Sequence, residues 1–438
     1  MAESPHNPPE PVTMPDPLMT EPELVSPDVA IMTKPPAGRR AAATFIFFTV
    51  TLDMLALGMI APVFPRLIEG FLNGDTSRAA EMLGLFGTVF AAMQFFCSPI
   101  VGSLSDRYGR RPLVLLSNFG LGLDYVLMAW APTLNWLFLG RIISGLTSSS
   151  IPTAMAYMAD VTPRERRAAA FGMLNAAFGA GFVLGPAVGG ILGNINPRLP
   201  FWVAACLSLI NGFYGFFVLP ESLSKENRSP FSWARANPVG SLSLIRRGNM
   251  IAIAAVLLLG YIAQQVLMNV YVIYADYRYH WTDRTVGLSL AVVGICTIIY
   301  GAFLVKPVVA KLGERGAITI GLIGGAIGYS MIGSSKTGLF LWFGIPLLNM
   351  MTFAWPAAQS LMSRKASPSE QGQLQGAINS LRGIAGLIGP GIFTYIFSRS
   401  IGVGLHIPGA PFYTAAAMLL ISLALAQRAA ASQPRAAA

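Results

Sequence analysis

Charged residues are scarce in this chain of 438 residues: 11% are Asp, Glu, Lys or Arg, while 54% are hydrophobic. A soluble globular domain carries about 25% charged residues, and the mean hydropathy here is +0.57. This shortage excludes a water-soluble fold. It indicates an integral membrane protein of the all-α class, because apolar runs of about 20 residues have the length of a membrane-spanning helix.

The charges that are present are unbalanced, with a formal net charge of +10. In a soluble protein such a surplus would suggest a nucleic-acid partner. Here the basic residues fall in the breaks between apolar runs, where the orientation of a membrane protein accounts for them. We therefore expect the lipid bilayer, and no nucleic acid, among the partners.

Cysteine and histidine are also rare, with three residues of each. Cys97, Cys206 and Cys296 lie inside predicted membrane spans without paired spacing, which argues against a disulfide framework and a cysteine metal site. No histidine falls within a predicted span, so none is available there as a catalytic base. With no paired metal-ligand spacing and no nucleotide-binding motif, the sequence predicts neither an enzyme nor a metal or cofactor requirement.

Long apolar runs are abundant, and twelve of them are long enough to cross a bilayer. The predicted spans are 42–64, 82–104, 112–131, 134–158, 168–193, 199–219, 249–274, 284–306, 316–334, 338–361, 372–397 and 409–427. The polar stretch 220–248 is the longest internal break and separates two groups of six spans. The predicted domains are a disordered cytosolic tail over 1–40, six-helix bundles over 41–219 and 249–428, this linker between them, and a second tail over 429–438.

The basic residues also predict the orientation. If both termini lie in the cytosol, 21 Lys and Arg residues are on the cytoplasmic side and seven are on the other side. Positively charged loops are retained in the cytoplasm, so this bias favours cytoplasmic termini. Since residues 1–40 contain no apolar signal-peptide core, we expect a multi-pass protein of a bacterial inner membrane that acts as a monomer.

The two groups of spans are related by an internal repeat. Four residues of the first half recur 204 positions later: Gly109, Pro152, Gly185 and Pro186 match Gly313, Pro356, Gly389 and Pro390. A constant offset at several places predicts two equivalent bundles with a translocation path between them.

The loop between the second and third spans has an ordered pattern, GSLSDRYGRRPLVL over residues 102–115. Its glycines allow a tight turn, and its acid can pair with a neighbouring arginine. The patterned positions are Gly102, Asp106, Arg107, Gly109, Arg110 and Arg111. The spacing resembles the loop signature of the major facilitator superfamily. This resemblance implies a gating loop in a transporter built from two pseudo-symmetric six-helix bundles.

Four charged residues stand out because they lie inside the predicted spans, away from the span ends: Asp53, Asp124, Arg141 and Arg382. A charge at the centre of a membrane helix costs about 2.5 to 3.5 kcal/mol on insertion scales, so each requires a role. One interpretation is a packing lock, in which Asp124 and Arg141 satisfy each other or neighbouring polar groups. The other is proton coupling by Asp53, Asp124 and Arg141, with carboxylates that change charge as the path opens to either side. For Arg382 a functional position and a side chain that reaches to the membrane interface are both open.

Neutral polar and aromatic residues also occur within the spans. Amides and rings together would suit an amphiphilic, partly aromatic substrate, although such groups also bond helices to one another. The candidates for substrate binding are Gln94, Tyr157, Gln265, Asn269 and Trp355.

The fifth predicted span contains small residues around one proline. They are Gly181, Gly185, Pro186, Gly189 and Gly190. Small residues permit close helix approach, and proline introduces a bend. The run resembles the glycine-proline motif of antiporters in the superfamily and argues weakly against an uptake transporter.

Further motifs make the resemblance closer. The stretches around Asp53, Asp124 and Arg141 are similar to those of the tetracycline/proton antiporters, which implies transport or gating roles for these residues and for Gln94, Asp106 and Arg110. The chain departs from that branch at Thr297 and Gly325, where tetracycline pumps have a histidine and an aspartate. This departure weakens the case for a tetracycline–magnesium complex as the substrate.

We therefore expect a secondary active transporter that exports a drug-like or metabolite amphiphile, of the tetracycline type, by proton-coupled alternating access. Two alternatives stay open. One is an uptake facilitator or symporter for a sugar or another metabolite. The other is a transport-inactive membrane receptor that uses the proline-rich tail as its contact.

Overall fold

The structure is a computed structural model that describes residues 37–431, except for 149, 164–165, 232, 234–236, 238–239, 241, 248–249, 368–369 and 403–405. The two predicted tails therefore lie almost entirely outside the described residues. Every regular element in the described part is helical, as expected for an all-α membrane protein.

Seventeen α-helices occur in the described ranges, in the following order. They are α1 (Ala37–Ile60), α2 (Phe64–Phe71), α3 (Thr76–Tyr108), α4 (Arg110–Trp130), α5 (Leu134–Thr147), α6 (Ser150–Val161), α7 (Arg167–Ile195), α8 (Leu199–Val218), α9 (Leu242–Arg247), α10 (Ile251–Asn269), α11 (Tyr271–Tyr279), α12 (Asp283–Ile298), α13 (Val305–Ser334), α14 (Gly338–Asn349), α15 (Ala354–Ser363), α16 (Gln371–Gly402) and α17 (Ala410–Ala431). A π-helical turn (Ile299–Leu304) joins α12 to α13, and a 3-10 turn (Met350–Phe353) joins α14 to α15.

The number of membrane spans differs from the predicted twelve when helices are counted one by one. Nine segments of the described chain are long and apolar enough to span a membrane, and α1 with α2 forms a tenth, bent by 40°. The segment Asp283–Ser334 has 52 residues, whereas about 20 cross a bilayer. It contains two predicted spans, separated at Gly313, whose backbone leaves the helical region. The predicted span 134–158 is divided into α5 and α6 around residue 149, which is not among the described residues.

Matched glycines confirm the internal repeat. Gly109, between α3 and α4, has φ +106°, and Gly313, its partner in the repeat, has φ +68°. Both values favour glycine, because a side chain is strained there. Gly185 lies where α7 packs against α1, and Gly389 lies where α16 packs against α10. The two halves are thus built alike at equivalent positions.

The two bundles meet along two helix pairs, α3 against α16 and α7 against α12. In each pair the second membrane helix of one bundle packs against the fifth of the other. This pairing is what two bundles related by the repeat should form.

Side chains of the two bundles contact each other at one face of the molecule. We call the face that carries the ends of the described chain and the 102–115 loop the terminal face. At the opposite face the Oγ atoms of Ser77 and Ser398, from the two bundles, lie 2.8 Å apart. Near the terminal face an added Cβ at Gly102, Gly172 or Gly372 would meet no atom of the described residues within 4 Å. These three glycines thus make no close contact with the described residues of the other bundle.

The hydrophobic core is also concentrated toward the opposite face. Most of the largest fully buried side chains belong to the parts of the helices nearer the opposite face. These are Met59, Ile68, Phe86, Phe201, Tyr271, Tyr274, Tyr329, Phe393, Phe397 and Phe412. Packing of apolar rings thus stabilises the closed end.

Candidate functional site between the bundles

The structure brings together the three residues predicted to couple protons. Tyr125 of α4 is buried within electrostatic range of Asp53 on α1, Asp124 on α4 and Arg141 on α5. Asp53 is 8% exposed and Asp124 is 1% exposed. Two carboxyl groups and one guanidinium group therefore share the interior of the first bundle.

Asp124 is bonded to a serine of the next helix. The hydroxyl of Ser144 on α5 donates to Asp124 Oδ2. A Cβ at Gly140 would lie 3.1 Å from Asp124 Oδ1. The absence of a side chain at Gly140 therefore leaves room for the carboxyl group of Asp124 against α5. Among the ion pairs of the described chain, none joins Asp124 to Arg141. Asp124 is thus bonded to a neighbouring polar group, as the packing interpretation allows, and forms no ion pair with Arg141.

The Arg141 side chain packs against aromatic rings. Its guanidinium carbon lies 4.2 Å from the ring centre of Phe90 and 5.2 Å from that of Phe64. Cation–π contacts contribute about 2 kcal/mol when they are desolvated. The guanidinium group of Arg141 therefore packs on aromatic rings, and no carboxylate of the described chain lies within ion-pair distance of it.

The small residues of α7 hold it against α1 next to Asp53. A Cβ at Gly185 would lie 2.7 Å from Gly58 Cα, and one at Gly181 would lie 2.8 Å from Leu55 N. Because ordinary Cβ atoms do not approach so closely, both positions require glycine for this packing. The predicted motif thus fixes the backbone of the helix that carries Asp53.

The rest of the motif contributes to the closed face. Gly189 packs against Met59 of α1, whereas Gly190 faces the other bundle. A Cβ at Gly190 would lie 3.1 Å from Gly287 Cα of α12, and the carbonyl of Pro186 also lies against Gly287. Small residues on both sides therefore allow α7 and α12 to touch.

An ion cluster that we call the Arg66 latch closes the same face. Arg66 Nη2 lies 2.9 Å from Asp276 Oδ1, and its Nη1 lies 3.2 Å from Asp283 Oδ1. It also donates to the carbonyl of Trp281 over 2.6 Å. Asp283 is only 2% exposed. Sequence reasoning missed this site because its partners are 210 or more residues apart and belong to different bundles. The local signal was an acid, Asp283, directly before the predicted span 284–306.

The predicted gating loop is bonded within the first bundle. Arg110 lies 2.6 Å from Asp106 and 3.3 Å from Asp160 of α6. Its backbone N–H donates to Glu221 Oε1 over 2.8 Å, and a Cβ at Gly109 would collide with the same carboxylate. The loop thereby ties α3, α4, α6 and the segment after α8 together.

The other loop residues are at the surface of this network. Arg111 donates to the carbonyl of Phe216 over 2.6 Å, and Arg107 lies 5.2 Å from the ring centre of Tyr108. Gly102 lies at the open end of α3. These contacts all lie at the terminal face.

Three amide residues predicted to bind substrate lie on α3 and α10, near the contact between the two bundles. Gln94 donates to Ser148 Oγ over 3.4 Å within the first bundle. Asn269 donates to the carbonyl of Gln265 over 2.9 Å. A Cβ at Gly87 on α3 would lie 2.9 Å from Asn269 Oδ1, so Asn269 reaches the other bundle.

A cation–aromatic cluster lies in the second bundle. The rings of Tyr261 and Trp355 are 5.4 Å apart, and Gln359 Nε2 donates to Tyr261 Oη over 3.2 Å. The guanidinium carbon of Arg382 lies 5.1 Å from the ring centre of Tyr261. Arg382 therefore folds over α10, which favours a functional position over an extension to the membrane interface.

Tyr157 lies apart from the other candidates for substrate binding. It is fully buried, and its hydroxyl donates to the carbonyl of Pro220 over 2.7 Å. We expect Tyr157→Phe to lower the free energy of unfolding by about 1 kcal/mol through loss of this hydrogen bond, with unchanged substrate affinity. A thermal shift assay with binding measurements checks this, with exposed Tyr395→Phe as the control; a selective loss of affinity would contradict it.

The described residues contain no group of three His, Cys, Asp or Glu side chains that could hold a metal. Cys97, Cys206 and Cys296 are free thiols. The polar groups that the helices present here are carboxyl groups, amides and arginines, together with aromatic rings.

Comparison with known proteins identifies the family. The sequence model of the Major Facilitator Superfamily matches residues 46–390 and 279–435. The chain is 36% identical over 398 residues to the class C tetracycline resistance protein of Escherichia coli, covering 90% of this chain and 98% of that protein. It is 31% identical over 399 residues to the class B protein of Escherichia coli, with coverage of 90% and 98%.

A solved structure agrees at the level of fold. The nucleoside transporter NupG superposes with a TM-score of 0.74 at 12% identity, over 88% of this chain and 99% of that chain. The fold, the bundle pairing and the sequence matches all point to one assignment. The chain belongs to the Major Facilitator Superfamily and is a membrane transporter.

Proposed function

We propose that this transporter exports a drug-like or metabolite amphiphile in exchange for protons, by alternating access between its two bundles. The observation that carries the proposal is the pair of buried carboxyl groups, Asp53 and Asp124, beside Arg141 at membrane depth. Ionisable residues inside a membrane protein mark ion or proton paths. The similarity to tetracycline resistance proteins supports export as the direction.

A single coupling carboxyl group is energetically sufficient. One proton that moves down about 150 mV releases roughly 3.5 kcal/mol. At about 1.4 kcal/mol per tenfold, this supports a concentration gradient of a few hundredfold. Asp53 is the first candidate for the coupling carboxyl group, because it is buried on α1. This helix also packs closely against α7 at Gly181 and Gly185, so a change at Asp53 can act on the contact between the two helices.

The conformation suits the loading step of an exporter. The positively charged loops favour a cytoplasmic position for the terminal face, and the side-chain bonds between Arg66 or Ser77 and the second bundle lie at the opposite face. Substrate would enter from the cytosol or the inner leaflet, contact the cation–aromatic cluster and leave after the Arg66 latch opens. Gln265, Asn269 and Trp355 are the predicted binding residues that lie nearest this path.

Accumulation of a panel of compounds, tetracyclines included, tests the proposal in cells with and without the protein. We expect at least one amphiphile to accumulate less when the protein is present, and a proton uncoupler to abolish the difference. A difference that survives the uncoupler would contradict proton coupling. Higher accumulation in the presence of the protein would favour uptake.

A further inference from the structure

One cation lies inside the second bundle without a carboxylate beside it. Arg382 is the single charged residue within the six predicted spans of that bundle, away from the span ends. Its side chain is exposed, and none of the ion pairs among the described residues includes it. A charge at membrane depth is costly and marks a path for an ion or a substrate. The second bundle therefore presents a positive charge, whereas Asp53 and Asp124 belong to the first.

The side chain of Arg382 lies at the junction between the two bundles. One turn further along α16, an added Cβ at Gly386 would lie 3.7 Å from Ala91 Cβ of α3 and 3.3 Å from Gln265 Nε2 of α10. Residues four positions apart share one face of a helix, so Arg382 projects from the face of α16 that is directed at α3 and α10. Its guanidinium carbon indeed lies 5.1 Å from the ring centre of Tyr261 on α10.

The contact with Tyr261 holds the guanidinium group and leaves its N–H groups unused. The ring face attracts the positive charge, whereas the five N–H donors lie in the guanidinium plane. No hydrogen bond between described residues uses one of these donors. The Tyr261 hydroxyl accepts from Gln359 Nε2 over 3.2 Å, and its own hydrogen has no acceptor in the described part of the chain. The cluster thus offers donors for which these residues supply no acceptor.

A second aromatic ring lies next to these donors. The ring centres of Trp355 and Tyr261 are 5.4 Å apart. An added Cβ at Gly260 would collide with the six-membered ring of Trp355, so a glycine on α10 lets the indole lie close to the backbone. Trp355 is only partly buried, and aromatic rings stack favourably at centre distances of about 4.5 to 7 Å. A flat aromatic group can therefore pack here beside an acceptor bound to Arg382.

We propose that the substrate of this transporter carries a carboxylate or another oxyanion on an aromatic ring system. Arg382 binds the anion and Trp355 packs against the ring. A carboxylate only accepts hydrogen bonds, and its two oxygens match two parallel N–H groups of a guanidinium. The inference rests on the proposed function, since it names the class of compound that the same site would export. The carboxyl groups of the first bundle then bind protons, and the arginine of the second binds the anion.

Binding of matched probes to the purified protein tests this proposal. The probes are 2-naphthoate, its neutral analogue 2-naphthamide and the cationic 2-naphthylmethylammonium. Saturation-transfer NMR in phosphatidylcholine nanodiscs, with the signal of empty nanodiscs subtracted, measures their dissociation constants. We expect 2-naphthoate to bind about tenfold more tightly than 2-naphthamide, because hydrogen bonds to charged groups are stronger than those between neutral groups. The cationic probe should bind most weakly.

Three variants assign the preference to one side chain. Arg382→Gln should weaken binding of 2-naphthoate about tenfold and leave binding of 2-naphthamide unchanged. Arg382→Lys keeps the charge and should retain part of the preference for the anion, which an arginine with a purely structural role would not show. The control is Arg399→Gln on the same helix, where Arg399 also packs on a ring, 5.2 Å from the centre of Tyr395. This control should bind both probes as the wild type does.

Four results would overturn the proposal. They are equal affinity of the wild type for 2-naphthoate and 2-naphthamide, no binding of 2-naphthoate, an equal loss in the Arg399 control, and loss of the preference when phosphatidylglycerol is added, since a lipid phosphate would then be the occupant. The measurement needs neither a proton gradient nor transport. If the anion preference is found but no compound is exported, only the proposed function fails. Export that proceeds unchanged in Arg382→Gln would contradict only this inference.

Discussion

Asp53→Asn should abolish uphill export and leave the protein folded. The two side chains have nearly the same shape, but asparagine cannot carry the charge that a coupling carboxyl group must gain and lose. Asp53 is 8% exposed at membrane depth, where a change of charge has a large energetic consequence. We expect the substrate gradient to fall from up to a few hundredfold to none. Movement of substrate down its own concentration gradient should be retained.

Everted vesicles with an imposed pH gradient measure this directly. The control is Asp75→Asn, the same chemical change at an exposed residue whose carboxylate caps α3; asparagine is an equally good cap. Accumulation against a gradient should persist in the control and vanish in Asp53→Asn. If the Asp53 variant still accumulates substrate, then the carboxyl group has a structural role and coupling resides elsewhere.

Arg66→Ala should open the opposite face. The substitution leaves Asp283, which is almost fully buried, without its arginine. Removing one partner of a buried ion pair costs about 3 to 5 kcal/mol. Since the Arg66 side chain is itself 31% exposed, solvent screening reduces the expected effect to about 1 to 2 kcal/mol. The closed conformation should therefore lose about tenfold or more of its population relative to open forms.

Labelling of a cysteine at Ser398 by a membrane-impermeant maleimide reports this opening, again without the native cysteines. Ser398 is 2% exposed in the closed face. We expect labelling from the opposite face to be about tenfold faster in Arg66→Ala, and unchanged in Arg78→Ala, which removes an arginine that has no partner across the bundles among the described ion pairs. Adding Asp283→Asn to Arg66→Ala should restore part of the closure. Equal labelling rates in all variants would exclude a latch.

The architecture was predictable because a membrane imposes local rules. Apolar runs of about 20 residues gave the spans, and residues repeated at one offset gave the two bundles. The positive φ values of Gly109 and Gly313 agree with that repeat. The count of separate helices was less predictable, because the break at Gly313 and the division between α5 and α6 depend on packing.

The site was predictable only where a single residue is unusual in its span. Asp53, Asp124 and Arg141 are conspicuous in an apolar sequence, and they do lie near one another. The rings that stabilise Arg141 and the partners of Arg66 are specified by contacts between distant parts of the chain, which no local pattern encodes. Tyr157 shows the converse, since an aromatic residue among candidates for substrate binding instead holds the segment at Pro220.

Proton movement caused by substrate tests the exchange mechanism most directly. The purified protein is reconstituted in liposomes that contain a pH-sensitive dye, with the membrane potential held at zero, and an exported compound from the panel is added outside. Entry of the compound should drive protons out, so the lumen of wild-type liposomes should become alkaline, and that of Asp53→Asn liposomes should not. Acidification of the lumen, or substrate entry without any change of pH, would contradict proton-coupled export.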